Sequence, residues 1–363
     1  MGVSSYLKSL KWFHIPVGVG LTYVAYQQLH HTRKREKRKL QTTSPAELVA
    51  KDWQVDILTY FPTRLLSRAW GRLADLKLPV WCRKPIFGLY VYIYGCNMDE
   101  ADISELKHYQ TVQSFFTRRL KKDARPVDGE HELVSPCDGC VLHHGVVDKT
   151  GQIEQVKGVT YPLGELTGPI EPTLLPKNCS ESNSERLYYC VLYLAPGDYH
   201  HFHSPADIQF KEQRHFPGAL LSVAPAWVRF IRGIFTLNER VVLLGHWQYG
   251  FFGYVAVGAY NVGSIHLQVD QGLVTNQAMD YQLGDFIRKS YATQEKIENG
   301  QLITSSNPMS KGKGDHVGWF SLGSTIILIF TAPDSFKFTA NSGDKLLVGQ
   351  PLGRLHHKPQ TGS

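Results

Sequence analysis

Three of the chain's sixteen histidines, His200, His201 and His203, fall within four positions of Pro196-Gly197-Asp198-Tyr199-His200-His201-Phe202-His203-Ser204-Pro205. Nothing structural requires three imidazoles together, so this cluster is the first candidate for chemistry. An imidazole titrates near neutral pH, which suits it to moving protons or, when neutral, to binding a metal. Two other segments offer it partners. Ser135-Pro136-Cys137-Asp138-Gly139 puts a carboxylate in a turn ahead of a strand. Leu322-Gly323-Ser324-Thr325 puts a hydroxyl in front of the apolar run Ile326-Ile327-Leu328-Ile329-Phe330. An Asp, a His and a Ser on separate segments can form a nucleophilic triad, in which His takes the Ser proton and Asp orients the ring.

The residues alone leave other readings open. Asp138 is also an ordinary turn former, and Gly-Ser-Thr at a strand entrance is commonplace. On a strand, His201 and His203 would share one face, as metal ligands do in cupin-like enzymes. Cys137 and Cys140 form a lone C-x-x-C. A zinc site would need a second pair, and only His143 and His144 lie close in sequence, so small buried thiols are the simpler reading.

The elements that carry these residues divide the chain in three. Residues 1–40 read as a membrane anchor and basic linker. No Lys, Arg, Asp or Glu occurs from Trp12 to Thr32, although only Ile15 to Tyr26 is strongly apolar, which is short for a span needing about 20 residues. The basic block Arg33-Lys34-Arg35-Glu36-Lys37-Arg38-Lys39 follows. Residues 41–130 read as a helical, membrane-associated region. Pro62 opens a helix, at the first-turn position where its missing N–H costs nothing. Leu65, Leu66, Ala69, Trp70 and Leu73 form one face of that helix, and Arg64, Arg68 and Arg72 another. Such a basic amphipathic helix suits an anionic bilayer, and it reads equally as an ordinary surface helix packed on the chain's own core. The aromatic and aliphatic run Pro85–Tyr94 is too short to span but able to dip into lipid or a core. A last helix covers Thr111 to Leu120, before the break at Arg125-Pro126.

From residue 131 to 363 the texture becomes β-rich, with short β-branched and aromatic runs between turns: Arg186–Leu194, Val241–Gly245, Gly253–Ala259 and Ile326–Phe330. The polar stretches 165–186 and 271–312 read as loops. Asn341-Ser342-Gly343-Asp344 and Val348-Gly349-Gln350-Pro351-Leu352-Gly353 follow the turn pattern of barrel-sandwich folds. The fold class is therefore α+β: a helical membrane-associated N-terminal module followed by a β-rich, barrel-sandwich-like catalytic domain.

Composition narrows the partners. At 42% hydrophobic and 20% charged residues the chain is globular, not disordered. Six cysteines are too sparse for a disulfide framework in 363 residues. A net charge of +7 favours anionic partners, whether nucleic acid, acidic lipid or small anions, and composition does not choose among them.

The three chemical segments, in their order, resemble the phosphatidylserine decarboxylase family: an S-P-x-D-G turn, a D-Y-H-x-x-H motif, then G-S-T near the C-terminus. Phe216-Pro217-Gly218-Ala219-Leu220, Asn238-Glu239-Arg240-Val241, Asn261-Val262-Gly263-Ser264-Ile265, Lys313-Gly314, Gly318 and Phe320 also resemble family signatures. The similarity runs from about Pro62 to Gly353 and is closest to the mitochondrial type of animals.

The resemblance implies pyruvoyl-dependent decarboxylation of phosphatidylserine to phosphatidylethanolamine and carbon dioxide, in phospholipid biosynthesis. Asp138, His203 and Ser324 match the acid, base and nucleophile of self-cleavage between Gly323 and Ser324. That cleavage yields a β-subunit, 1–323, and an α-subunit, 324–363. Ser324 becomes a pyruvoyl group, whose carbonyl forms a Schiff base with the substrate amine, so neither a metal nor pyridoxal phosphate is required. His200 matches the proton donor of decarboxylation, and His201 matches no required position. The implied partners are phosphatidylserine in anionic membranes and the two subunits of the cleaved chain, with no nucleic acid and room for a homodimer. The implied location is the mitochondrial inner membrane, with a single-pass anchor and the catalytic body facing the intermembrane space. Charge counting alone would keep the body on the untranslocated side, because the basic block follows the anchor.

Overall fold

A computed structural model describes residues 50, 63–148, 150–156, 159–170, 185–259, 264–277, 281–291, 294–298, 301–305, 309–321 and 323–356. The expected anchor and basic linker, Pro62, Leu322 and Asn261-Val262-Gly263 lie outside these residues. Residues 48–363 form one compact unit.

Helices come first. Helix α1 is Thr63–Ala74 and α2 is Val80–Tyr94, closed by Gly95 in the left-handed region at φ 66°. A 3-10 turn at Leu106–His108 leads to α3, Val112–Phe116, whose start is fixed by reciprocal bonds between Thr111 and Ser114. This last helix is shorter than the expected 111–120. It ends at Thr117, because the next residues are pulled into tertiary contacts: Arg118 toward Gly197, and Leu120 into a bridge with Ala101. In α1 the expected faces are only partly realised. Leu65, Leu66 and Leu73 are exposed, whereas Arg64 turns inward over the Tyr281 ring and donates to the Gln277 carbonyl at 2.6 Å.

Strands β1 (Leu133–Val134), β2 (Gly139–Val146), β3 (Gln152–Val156) and β4 (Val159–Pro162) precede helix α4, Leu163–Thr167. Then come β5 (Glu185–Leu194), β6 (His201–His203) and β7 (Ile208–Phe216), followed by α5 (Pro225–Phe230) and α6 (Ile234–Leu237). Strands β8 (Arg240–Trp247), β9 (Gly250–Val257) and β10 (Ile265–Leu267) follow. So do β11 (Ile287–Ser290), β12 (Gln294–Glu298), β13 (Gln301–Ser305), β14 (Met309–Lys311) and β15 (His316–Phe320). The chain closes with β16 (Ser324–Pro333), β17 (Phe336–Phe338), β18 (Lys345–Leu346) and β19 (Pro351–Leu355).

The main sheet has the order β11-β7-β8-β9-β16-β5-β2-β18, with β14 also on β7. The apolar run at 326–330 lies at its centre, in β16, paired antiparallel to β5 and β9. Side chains of a strand alternate between faces. Ile326, Leu328 and Phe330 enter one core cluster, and Ile327 and Ile329 the other. Burial on both faces explains a continuous apolar run where a half-exposed strand would alternate. This corrects the barrel-sandwich expectation: among the described residues no barrel closes, and the strands form an open sheet between two cores with smaller sheets beside it.

The stretch 271–312 is likewise not all loop, since it holds β11 to β14. Strand β11 is exposed along its length at the sheet edge, so it lacks the apolar pattern by which strands are recognised. One small sheet, β10-β15-β6, carries the histidine cluster, and another, β1-β19-β17, ties the C-terminal strand to the entrance of the Asp138 turn.

Candidate active site

Asp138 closes the turn between β1 and β2. The turn is held by the Ser135 hydroxyl donating to the Cys137 carbonyl at 2.8 Å, and by backbone bonds from Ser135 to Gln350 and from Gly349 to Ser135. Gly349 sits at φ 82°, and a Cβ there would lie 2.6 Å from the Pro126 carbonyl oxygen, so the approach of these two loops depends on glycine. The Asp138 carboxylate is buried. It accepts Nε and Nη2 of Arg125 at 2.9 and 2.6 Å and the Val348 amide at 2.8 Å. Arg125 also reaches Glu100 at 2.8 Å.

His203 ends β6, and its amide donates to the Pro136 carbonyl at 2.7 Å, which joins the histidine strand to the Asp138 turn. Its Nδ1 lies 2.9 Å from the Gly314 carbonyl. A carbonyl only accepts, so Nδ1 carries the proton and Nε2 keeps its lone pair. The Tyr199 hydroxyl stands 3.3 Å from that Nε2. Burial holds the His203 pKa below the usual imidazole value, against opposing pulls from the Gly314 carbonyl and the Asp138 and Asp315 charges. The ring is therefore a neutral base with a fixed tautomer.

Ser324 begins β16, opposite Leu194 of β5. It is fully buried, and its Oγ has no hydrogen-bond partner. His200 is buried against Phe116, with ring centroids 4.0 Å apart. Its Nδ1 donates to the Asp198 carbonyl at 2.8 Å, and its Nε2 has no partner. Burial lowers its pKa to about 3. The His200 carbonyl accepts the Phe320 amide at 3.0 Å, four residues before Ser324. His201 points elsewhere: Nδ1 meets His316 Nε2 at 2.8 Å and Nε2 meets the Thr117 carbonyl at 3.1 Å.

The fold thus binds the Asp138 turn to the His203 strand, and β6 to the segment leading into Ser324. No hydrogen bond among the described residues joins the three side chains directly. Asp138 is engaged by Arg125, and the orienting partner of His203 is the Gly314 carbonyl. For the metal reading, no group of three or more His, Cys, Asp or Glu suited to a metal occurs among the described residues. Cys137 is buried in the main core, with its thiol pushed well up by burial. Cys140 stands at 3.5 Å from the Gly343 carbonyl.

Sequence reasoning passed over Arg125, Gly314 and Arg118. Arg125 was visible only as the residue before Pro126, and Gly314 only through its Lys-Gly signature. A buried arginine has no sequence pattern that separates it from a surface one.

The profile of the family described as phosphatidylserine decarboxylase matches residues 112–354. The mitochondrial phosphatidylserine decarboxylase proenzyme of Pongo abelii is 44% identical over 353 residues, spanning 94% of this chain and 83% of its own. That of Caenorhabditis elegans is 40% identical over 301 residues, or 83% of this chain and 74% of its own. The mitochondrial proenzyme 1 of Schizosaccharomyces pombe is 36% identical over 404 residues, or 93% and 89%. On this similarity, which covers the Asp138 turn, the histidine cluster and Ser324 together, the chain belongs to the phosphatidylserine decarboxylase family.

Proposed function

We propose that this chain decarboxylates phosphatidylserine to phosphatidylethanolamine in phospholipid synthesis, after cutting its own backbone between Gly323 and Ser324. The observation that carries the reading is Ser324 itself: a buried hydroxyl without a partner, on the first residue of the central strand. A buried, unsatisfied hydroxyl costs stability and calls for an explanation in chemistry.

His203 is the base for that hydroxyl. Its Nε2 lone pair accepts the Ser324 proton, and the oxygen attacks the Gly323 carbonyl, exchanging the peptide for an ester. Elimination across Cα–Cβ then frees the Gly323 carboxylate, and hydrolysis with loss of ammonia leaves the pyruvoyl group. Asp138 supplies negative charge near the imidazole as it becomes positive, held in place by Arg125 and the Val348 amide. The surroundings of Ser324 fit the conversion, because removing an Oγ that bonds to nothing strands no neighbour. The pyruvoyl group supplies an electrophilic carbonyl that no ordinary side chain has, a sink for the electrons released with carbon dioxide. His200 presents a bare Nε2 lone pair that takes up a proton from solvent during turnover and, because it binds that proton weakly, passes it on to the carbon that lost the carboxylate.

The products are a β-subunit, 1–323, and an α-subunit, 324–363. The enzyme meets phosphatidylserine on an anionic membrane through the exposed apolar residues of α1 and α2. None of the described helices is long and apolar enough to cross a membrane. Residues 12–32 supply the single-pass anchor, in the mitochondrial inner membrane with the body in the intermembrane space. The relatives' names support the organelle.

Intact mass under denaturing conditions tests the central claim. The wild type should give two chains, the smaller blocked at its N-terminus, and Ser324→Ala one inactive chain. A wild type that is uncleaved yet active would overturn the proposal.

A further inference from the structure

Arg118 is a buried cation whose donors are largely unused. It is 4% exposed and stands two residues beyond the end of α3. Its Nη2 donates to the Gly197 carbonyl at 2.7 Å and lies 3.5 Å from that of Asp198. Its Nε and Nη1 are buried with no partner, and the guanidinium carbon sits 5.6 Å from the Phe115 ring centre. Guanidinium offers five N–H donors in a fixed fork, and burying that charge with donors unpaired is costly. A purely structural clamp on the Gly197 loop needs only Nη2. The two idle nitrogens, Nε and Nη1, want an oxyanion, which the fork matches in geometry.

The surroundings say which oxyanion. The Asp198 carbonyl that Arg118 approaches is the one that fixes the His200 tautomer, and His200 Nε2 is itself unpartnered. Gln113 of α3 reaches the Ser321 hydroxyl at 3.4 Å, three residues before Ser324. Arg118 also borders a cleft of about 430 Å³ whose lining includes Thr111, Ser114, Thr117, His108 and Arg119, with one carboxylate, Asp102, among them. The Arg118 charge also acts on the His200 ring, so a headgroup engaged at His200 has its anionic groups beside Arg118.

We propose that Arg118 receives the phosphodiester of the substrate headgroup, an inference that rests on the decarboxylase reading above. The substrate carboxylate has the same oxyanion chemistry but is the poorer choice. An ion pair to it would stabilise the ground state and fade as carbon dioxide leaves, whereas a phosphodiester keeps its charge throughout.

The test uses the full chain in detergent with short-chain phosphatidylserine. Arg118→Gln should still cleave into two chains but raise KM about tenfold or more, the worth of a charged hydrogen bond, with Arg118→Lys between. Inhibition by short-chain phosphatidylethanolamine, which keeps the phosphate and lacks the carboxylate, should weaken by the same factor. On the wild type, glycerophosphoethanolamine should compete where ethanolamine at equal concentration does not. Normal cleavage with unchanged KM and inhibition would overturn the site. Loss confined to the serine lipid would move the contact to the carboxylate and overturn the phosphate assignment. If Arg118→Gln fails to mature, the wild-type competition decides, and ethanolamine competing equally well overturns the proposal. A wild type that neither cleaves nor decarboxylates would instead remove the reading on which this inference rests.

Discussion

The amide of His203 donates to the carbonyl of Pro136 at 2.7 Å, so the strand that carries the proposed base is bonded to the turn that carries Asp138. Two residues beyond Pro136, the Asp138 carboxylate is held by Arg125 at 2.6 Å, with side-chain exposures of only 5% and 10%. Self-cleavage and stability are therefore separable at this pair. Asp138→Asn should abolish or strongly slow cleavage at modest cost to stability, since Arg125 retains Glu100. Arg125→Ala strands a buried carboxylate and should destabilise by about 3–5 kcal/mol, measured by chemical denaturation. His203→Ala should remain uncleaved on a denaturing gel. Maturation of Asp138→Asn at the wild-type rate would remove Asp138 from the mechanism.

His200 and His201 give the fold an acid-sensitive core. Burial lowers their pKa values to about 3 and about 4, from near 6.5 in an unfolded chain. Below pH 6.5 the unfolded chain takes up protons that the folded one refuses. Stability is therefore complete above that value and falls as pH drops toward 4 and 3. Each imidazole contributes a slope of about 1.4 kcal/mol per pH unit within its window. Denaturation midpoints measured from pH 7 to 4 should fall, and His200→Gln should flatten the curve. The same variant should cleave normally but decarboxylate at least about a hundredfold more slowly, the usual worth of a proton-transfer group. A His200→Gln chain with full activity would take His200 out of the reaction.

Much of this was legible in the sequence because chemistry needs rare residue types in close order. His200, His201 and His203 stand out by type and spacing, whereas Asp138 and Ser324 are singled out from ordinary turn and strand residues only by the family resemblance; the fold ties their segments together through β6 and the turn at Pro136. The run Ile326–Phe330 was equally plain, since continuous apolar character signals burial on both faces. What could not be read was long-range partnership. Arg125 meets Asp138 across 13 residues, and Gly314 meets His203 across 111. Neither pairing leaves a periodic trace. The open sheet was misjudged for a related reason: its C-terminal turns have local barrel-like chemistry, but sheet closure is decided by which distant strands pair.

Cleavage would leave the two subunits interlocked. Strand β16 would fall in the α-subunit, yet it lies between β5 and β9, which would stay in the β-subunit, with ten paired positions on one side and six on the other. Removing it would split the main sheet and expose both cores. The processed enzyme should elute as one particle in native buffer and unfold in a single transition with both chains released together. Dissociation of the small chain at denaturant concentrations where the large chain stays folded would contradict this sheet order.

Membrane contact should be driven more by apolar side chains than by the arginine face. In α1, Leu65 and Leu73 are 58% and 50% exposed, and in α2 Trp81 and Tyr92 are 82% and 86% exposed. Arg64, by contrast, is occupied by Tyr281 and the Gln277 carbonyl. Large apolar side chains left in water mark a surface that another apolar phase covers, and each Leu transferred into lipid is worth about 1.5–3 kcal/mol. A basic residue near an anionic surface adds about 1 kcal/mol and is screened by salt. In a chain beginning at residue 41, replacing Leu65, Leu73 and Trp81 with Ser should weaken vesicle binding more than tenfold at low and high salt alike. Arg68→Glu with Arg72→Glu should weaken it mainly at low salt. Self-cleavage should survive both changes, because its residues lie in the β-rich body. Activity on short-chain soluble substrate should fall less than activity on vesicles. If the Ser variant bound phosphatidylserine vesicles as the wild type does, the exposed faces of α1 and α2 would have to be covered by protein instead of lipid.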